Sequence, residues 1–282
     1  MSQSLPRVVS TEWLAGALGS PDLVVLDGSL YLPEAKRDPR GDYRKGHIPG
    51  AVFFPIDEIR DHANPVPVMM PSPAEFATKV GALGVSSNDR IVVYDGAPFF
   101  SAPRVAWMFR VMGHDAIAVL DGGFPKWCME KRPVETGEVK RSPAVFKARY
   151  RPELVRALED MHRNLESHAF QVADSRGPGR FSGREPEPRP GMRSGHIPGS
   201  VNVYYNNLLR PDGTILAPAE LQNIFTAAKL NLNKPIVTSC GGGVTACALL
   251  LGLERAGARD VAVYDGSWSE WGARQDVPVE TG

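Results

Sequence analysis

An α/β fold built twice, each copy a mainly parallel sheet with helices on both faces, is what this chain of 282 residues predicts. Three observations carry that expectation. The chain repeats itself: Gly46-His47-Ile48-Pro49-Gly50 recurs as Gly195-His196-Ile197-Pro198-Gly199, and the stretch from Ala118 to Trp127 parallels that from Ala262 to Trp271. His47 and His196 stand 149 positions apart and Asp121 and Asp265 144, a register with small gaps and a period far longer than that of a solenoid. Within each copy, short β-branched runs alternate with longer helical segments, the pattern of a parallel sheet covered on both faces.

The elements follow in the same order in both halves. The first half opens with an apolar strand ending at Asp27 and the second with one ending at Asp174. Each leads through a loop to the His-Ile-Pro-Gly segment and then to Val52-Phe53-Phe54 or Val201-Asn202-Val203. Helical segments Pro73–Gly81 and Ala219–Lys229 precede the strands Ile91–Tyr94 and Ile236–Ser239. Helices over Ala102–Met112 and Val244–Ala256, then strands Ala116–Leu120 and Val261–Tyr264, complete the copies. The polar, basic stretch between them has few apolar anchors and reads as a connector lying on the surface. The expected domains are therefore residues 1–138 and 153–282, with a linker over 139–152.

The bulk composition narrows the function. A chain 43% hydrophobic and 23% charged has ample material for two cores. Its 32 basic residues balance its 32 acidic ones, so no global field favours nucleic acid or an anionic membrane. The longest apolar run, Ala246–Leu251, is far short of a membrane span. The start of the chain, Met1 to Arg7, lacks the apolar core of a secretory signal, and a cytoplasmic setting is expected. Three cysteines, Cys128, Cys240 and Cys247, show no disulfide-scaffold spacing, which favours a reducing compartment. Cysteine and histidine nowhere cluster with zinc-like spacing, so neither metal nor other cofactor is expected.

The stretch with the most chemistry is Pro235 to Leu253. A β-branched run ends at Cys240, followed by Gly241, Gly242, Gly243, Val244 and Thr245, then by an apolar helical segment. Glycines let backbone N–H groups converge, because they accept positive φ without steric cost. The helix that follows adds unpaired N–H groups and the positive end of its dipole. A sulfur at that focus is favoured as thiolate, the nucleophilic form. The competing reading is a small core residue before a tight turn. Three adjacent glycines exceed what a turn requires, and ligands in such sheets sit at the carboxyl ends of strands. In the first half the corresponding strand ends at Asp95, before the bulkier Gly96-Ala97-Pro98-Phe99-Phe100, so that half is expected to keep the fold without the nucleophile.

Taken together, these segments resemble the tandem rhodanese-like sulfurtransferases, most closely the 3-mercaptopyruvate sulfurtransferases. The likeness covers nearly the whole chain. It rests on the two Gly-His-Ile-Pro-Gly segments, the six-residue loop Cys240–Thr245, the stretch Gly179–Arg189 and the run Tyr264–Trp271. The resemblance implies two tandem rhodanese-like domains and an enzyme whose Cys240 takes sulfur from 3-mercaptopyruvate as a persulfide and releases pyruvate. The sulfur then passes to an acceptor, a thiol such as thioredoxin or a small thiol, or cyanide. It also implies that Arg180 and Arg189 grip the donor carboxylate, a task suited to the planar fork of arginine. Arg176 and Arg184 lie close by in sequence.

The loop bears on the choice of donor. Thiosulfate-using relatives carry Arg-Lys after the cysteine, where this chain has Gly241 and Gly242, so thiosulfate is the expected poorer donor. Mercaptopyruvate-using relatives usually carry Ser or Thr where Gly242 stands, in a relay with a histidine and an aspartate. His47 and Asp38 are the candidates for those partners, with water or Thr245 Oγ in place of the missing hydroxyl. Against that, the motif at His47 and His196 occurs in both halves, which favours a shared structural role, a turn histidine bonded to backbone. Trp268 and Trp271 are expected to pack on the sheet, as Trp127 does in the half without the thiol; Cys247 should be buried, and Cys128 buried or idle. The alternatives are a thiosulfate sulfurtransferase, a non-catalytic rhodanese-like binding module, and a phosphatase. The last needs an arginine six residues after the cysteine, where Ala246 stands.

Overall fold

The computed structural model describes residues 5–32 and 35–282. Residues 1–4, part of the terminus read above for a leader, lie outside them. The chain forms two compact units, and the main change from one to the other in sequence falls between Arg151 and Pro152.

The first unit holds β1 (Val8–Val9), α1 (Thr11–Ala17), β2 (Leu23–Asp27), α2 (Pro39–Lys45), β3 (Val52–Phe53), α3 (Pro73–Ala82), β4 (Arg90–Tyr94), α4 (Ala102–Val111), β5 (Ile117–Leu120) and α5 (Gly123–Met129). Its sheet runs β1-β5-β4-β2-β3 with every neighbour parallel. The second holds β6 (Val155–Arg156), α6 (Leu158–Ser167), β7 (Gln171–Asp174), α7 (Pro178–Phe181), β8 (Val201–Asn202), α8 (Pro218–Ala227), β9 (Ile236–Ser239), α9 (Thr245–Arg255), β10 (Val261–Tyr264) and α10 (Ser267–Trp271). Its order, β6-β10-β9-β7-β8, is again all parallel.

Local chemistry explains the elements. The central strands β2, β4, β9 and β10 are apolar runs buried almost throughout, as strands covered on both faces must be. Ser72 caps α3 in a reciprocal box with Glu75, and Pro73 occupies the first turn, where its missing N–H costs nothing. All ten residues of α4 are buried, and α9 is buried from Ala246 to Leu253, so both helices are held by packing more than by propensity.

The two units share wiring as well as topology. Gly28 N–H donates to Tyr94 O (2.8 Å), as Ser175 N–H does to Ser239 O (2.9 Å). Trp127 Nε1 donates to Pro133 O, and Trp271 Nε1 to Pro278 O. His47 exchanges backbone bonds with Glu135, and His196 with Glu280. Each glutamate also accepts from a glycine amide of the His-Ile-Pro-Gly turn, Gly50 or Gly199. That turn is thus a latch for a later segment of its own unit. Trp268 and Trp271 sit in the core with Val172, Val237 and Ala262, and Trp127 sits likewise with Val92 and Ala118.

The stretch expected as a surface linker is tied to the first unit. Ala144 N–H donates to Gly81 O, Arg149 N–H to Met112 O and Arg151 N–H to Val111 O. Phe146 is buried against Phe76 and Phe109. Buried Phe146, these backbone bonds and side-chain bonds such as those of Arg151 to Asp115 hold a segment whose composition reads as loose.

At the carboxyl end of β4, Asp95 Oδ2 accepts N–H bonds of 2.7 Å from Ser101 and Ala102, at the start of α4. The carboxyl group itself occupies the amide-rich end of that helix. Burial pushes its pKa up to about 7, against the lowering effect of those amides. A buried acid with a raised pKa keeps its proton in the fold after the unfolded chain has lost it. Stability therefore falls as pH rises from the ordinary value of 3.8 to about 7, and levels off above. Asp95→Asn removes this loss. In urea unfolding, the variant should gain about 3 kcal/mol on the wild type between about pH 5 and about pH 8; an equal difference at both pH values would contradict the assignment.

Candidate active site

Cys240 is the first residue past β9, and its side chain is 2% exposed. Three bonds from the segment after β10 fix its backbone. Cys240 N–H donates to Ser267 Oγ (3.1 Å), Trp268 N–H donates to Cys240 O (2.9 Å), and Ser269 N–H donates to Gly241 O (2.8 Å). The first unit makes the equivalent of the second bond, Phe124 N–H to Asp95 O. Ser267 Oγ lies 4.0 Å from Cys240 Sγ and 2.9 Å from Tyr264 O, which its single proton can reach in alternation. Ser267 is fully buried with φ +51, a left-handed conformation that a serine holds only under constraint.

The glycines serve two different purposes. Gly243 takes φ +76, as a left-handed turn requires. Gly241 and Gly242 lack positive φ and instead admit guanidinium groups. A Cβ on Gly241 would stand 2.8 Å from Arg180 Nη2, and one on Gly242 3.1 Å from Arg189 Nη1. Among the described residues, the N–H groups of Gly241, Gly242, Val244 and Thr245 donate to no protein acceptor. Where the carboxylate of Asp95 fills the corresponding place in the first unit, the second presents amides and a thiol. Such a bowl suits an anion.

The four neighbouring arginines separate by role. Arg176 is buried, pairs with Asp174 through Nε and Nη2, donates from Nη1 to Glu187 (2.7 Å) and stacks on Trp268. Arg184 Nε donates to Ser182 Oγ. Arg180 donates from Nε and Nη2 to Glu187, and Arg189 donates from Nη1 to Ser269 Oγ. Only Arg180 and Arg189 of the four meet the glycine loop through the approaches just described. Glu187, 4% exposed at its side chain, spans Arg176 and Arg180, so the buried ion pair orients the arginine facing the loop.

The relay candidates are not brought together. His47 is fully buried, with Nδ1 2.9 Å from Tyr43 O, its ring stacked on Tyr43 and Nε2 3.9 Å from Glu135. His196 repeats this with Phe181 O and the Phe181 ring. Asp38 is exposed ahead of α2 and makes no hydrogen bond to His47. The tyrosine carbonyl and the turn geometry claim the imidazole first. Thr245 Oγ1 lies 2.8 Å from Ser175 Oγ. Cys247 is buried, whereas Cys128, expected buried or idle, is exposed because its face of the short α5 lies outside the core. Sequence reasoning missed Glu187, Ser267 and Ser269. The repeat held a signal for the serines: at their places the half without a thiol has Gly123 and Pro125.

The sequence matches the rhodanese-like domain family over residues 10–130 and again over 157–274. It is 46% identical over 275 residues to a rat protein named 3-mercaptopyruvate sulfurtransferase, covering 95% of this chain and 93% of that protein. It is 48% identical over 282 residues to a bovine protein named thiosulfate sulfurtransferase, covering 97% and 94%. The crystal structure of SseA from Escherichia coli, described with the catalytic mechanism of 3-mercaptopyruvate sulfotransferases, is similar at a TM-score of 0.86, with 36% identity and coverage of 94% and 100%. Two matched domains, two sheets of one strand order and relatives alike along nearly their whole length lead to one assignment: the chain belongs to the rhodanese-like family, in its tandem form.

Proposed function

We propose that this chain is a sulfurtransferase that takes sulfur from 3-mercaptopyruvate onto Cys240 and passes it to a thiol or cyanide. The observation that carries the reading is the meeting of Arg180 and Arg189 with the amide-lined loop at Cys240, the loop itself holding no cation. A donor with one carboxylate and a carbon-bound sulfur suits two flanking guanidiniums better than a compact dianion does. The carboxylate is held by Arg180 and Arg189 while Cys240 thiolate attacks the donor sulfur. The sulfur–sulfur bond forms as the carbon–sulfur bond breaks, and the electron pair leaves on the enolate of pyruvate, which takes a proton. The loop N–H groups and Ser267 Oγ stabilise the persulfide anion without reorganising. An acceptor thiolate then attacks the outer sulfur and frees Cys240. Thioredoxin, a small thiol and cyanide all fit that second step.

Identity alone favours neither donor, since the bovine thiosulfate relative is as similar as the rat mercaptopyruvate one. The glycines at 241 and 242 support mercaptopyruvate, as no loop cation meets a second negative charge. The free thiols Cys128, Cys240 and Cys247 support a reducing setting, and we place the activity in the cytoplasm. Among the described residues, no helix is long and apolar enough to cross a membrane.

Intact-mass measurement after brief exposure to 3-mercaptopyruvate should show a reducible gain of one sulfur on Cys240, absent in Cys240→Ser along with turnover. A variant that still turns over would overturn the assignment. Side by side, kcat/KM should be higher for 3-mercaptopyruvate than for thiosulfate; the reverse order would identify a thiosulfate enzyme.

Arg180→Ala and Arg189→Ala should each raise KM for the carboxylate donor by about ten- to a hundredfold, the worth of a charge-assisted hydrogen bond, with little change in thermal stability for Arg189→Ala and a moderate loss for Arg180→Ala, which frees part of Glu187. Arg176→Met should act in the opposite sense, costing about 3 kcal/mol or more of stability because it strands Asp174 and part of Glu187. Unaltered KM in both loop-facing variants would show that other groups hold the carboxylate.

A further inference from the structure

Ser269 is a side chain that neither the donor grip nor the nucleophile yet accounts for. It lies in the first turn of α10, 6% exposed, beside the loop. Its Oγ is 2.6 Å from Gly241 O and also meets Arg189 Nη1. A guanidinium can only donate, so Ser269 Oγ accepts from Arg189, and its own proton must go to the Gly241 carbonyl. The directions of both bonds follow from that. A Cβ at Gly242 would stand 3.4 Å from this same oxygen and 3.1 Å from Arg189 Nη1, so the hydroxyl, the guanidinium and the bare backbone of 242 meet at one point.

We propose that Ser269 is a positioning residue for the donor: its hydroxyl ties Arg189 to the loop carbonyl of Gly241 and so sets the guanidinium at the thiol. The proposal deepens the reading of function above and rests on it for the identity of the donor.

Two observations support a role directed at Arg189. Gly241 O also accepts from the backbone N–H of Ser269 at 2.8 Å, so the loop stays anchored when the hydroxyl is removed. What the hydroxyl adds is an acceptor that links Arg189 to the loop. The repeat supplies the internal comparison. In the half whose loop carries Asp95 and no thiol, the residue matching Ser269 is Pro125, which offers neither a hydroxyl nor an N–H. An arginine with one fixed acceptor fewer samples more rotamers, and each bond it makes to a carboxylate then costs more ordering entropy.

The test compares wild type, Ser269→Ala, Ser269→Thr, Arg189→Ala and the Ser269→Ala/Arg189→Ala double variant. One readout does not depend on sulfur transfer: the rate of Cys240 alkylation by iodoacetate, which carries a carboxylate, relative to neutral iodoacetamide, followed by peptide mapping. The other is KM and kcat with 3-mercaptopyruvate. Ser269→Ala should lower the iodoacetate preference and raise KM, each by about threefold to tenfold, as expected for one hydrogen bond, with a smaller change in kcat. Ser269→Thr should restore both, and Ser269→Ala should add nothing in the Arg189→Ala background. An unchanged alkylation ratio in Ser269→Ala, or the same loss with and without Arg189, would overturn the proposal. If the wild type releases no pyruvate, the proposed function fails while the alkylation ratio still reads the coupling of Ser269 to Arg189.

Discussion

The site depends on a pair of backbone hydrogen bonds between two strand ends. Trp268 N–H on Cys240 O and Ser269 N–H on Gly241 O hold the segment after β10 against the segment after β9. Parallel strands end side by side, so the polypeptide leaving one can meet the polypeptide leaving its neighbour with full hydrogen bonding. The thiol, the loop amides and the two serine hydroxyls are arranged around that junction. Its counterpart in the first unit, Phe124 N–H on Asp95 O, shows that the junction belongs to the scaffold and precedes any chemistry.

On this common junction the two units have taken opposite courses. In the first, a carboxyl group folds back onto the amides of Ser101 and Ala102 and fills the helix end from within. In the second, the strand end carries Cys240 followed by glycines, and the N–H groups of Val244 and Thr245 at the start of α9 have no protein acceptor among the described residues. The Asp95 carboxyl takes two amides of its own helix through Oδ2, whereas beside Cys240 the corresponding amides are not used among the described residues. The two units thus differ in which group stands at the positive end of the helix that follows the strand.

Charge is handled with similar economy. Asp174, Arg176 and Glu187 form a buried network stacked on Trp268, and Arg180 joins it through Glu187. Removing one member of such a cluster leaves another uncompensated in low dielectric, which makes the cluster rigid. Arg180 inherits that rigidity, while Arg189 takes its orientation from Ser269. Two guanidiniums reach one short loop from differently supported directions, and the bareness of Gly241 and Gly242 lets them approach.

The fold was legible because β-branched runs, caps and a long internal repeat are properties of consecutive residues. Strands Ile91–Tyr94 and Ile236–Ser239, helices around 102–112 and 244–256, and the thiol at a strand end all follow from local pattern. Interactions between residues far apart in sequence were not legible. Of four arginines within fourteen positions, the family resemblance alone pointed to Arg180 and Arg189; in the structure Arg176 is buried beside Asp174 and Glu187, while Arg180 and Arg189 approach the glycines. For His47 the motif shared by both halves favoured a structural turn over a relay, and the contact of its Nδ1 with Tyr43 O, the stacked ring and the exposure of Asp38 agree with the turn. The sequence by itself determined the doubled α/β architecture and the place of Cys240 at a strand end, because periodicity and strand ends are written locally. Only the tertiary structure decided which charges and hydroxyls gather at the Cys240 loop, because that depends on which loops the parallel sheet brings side by side.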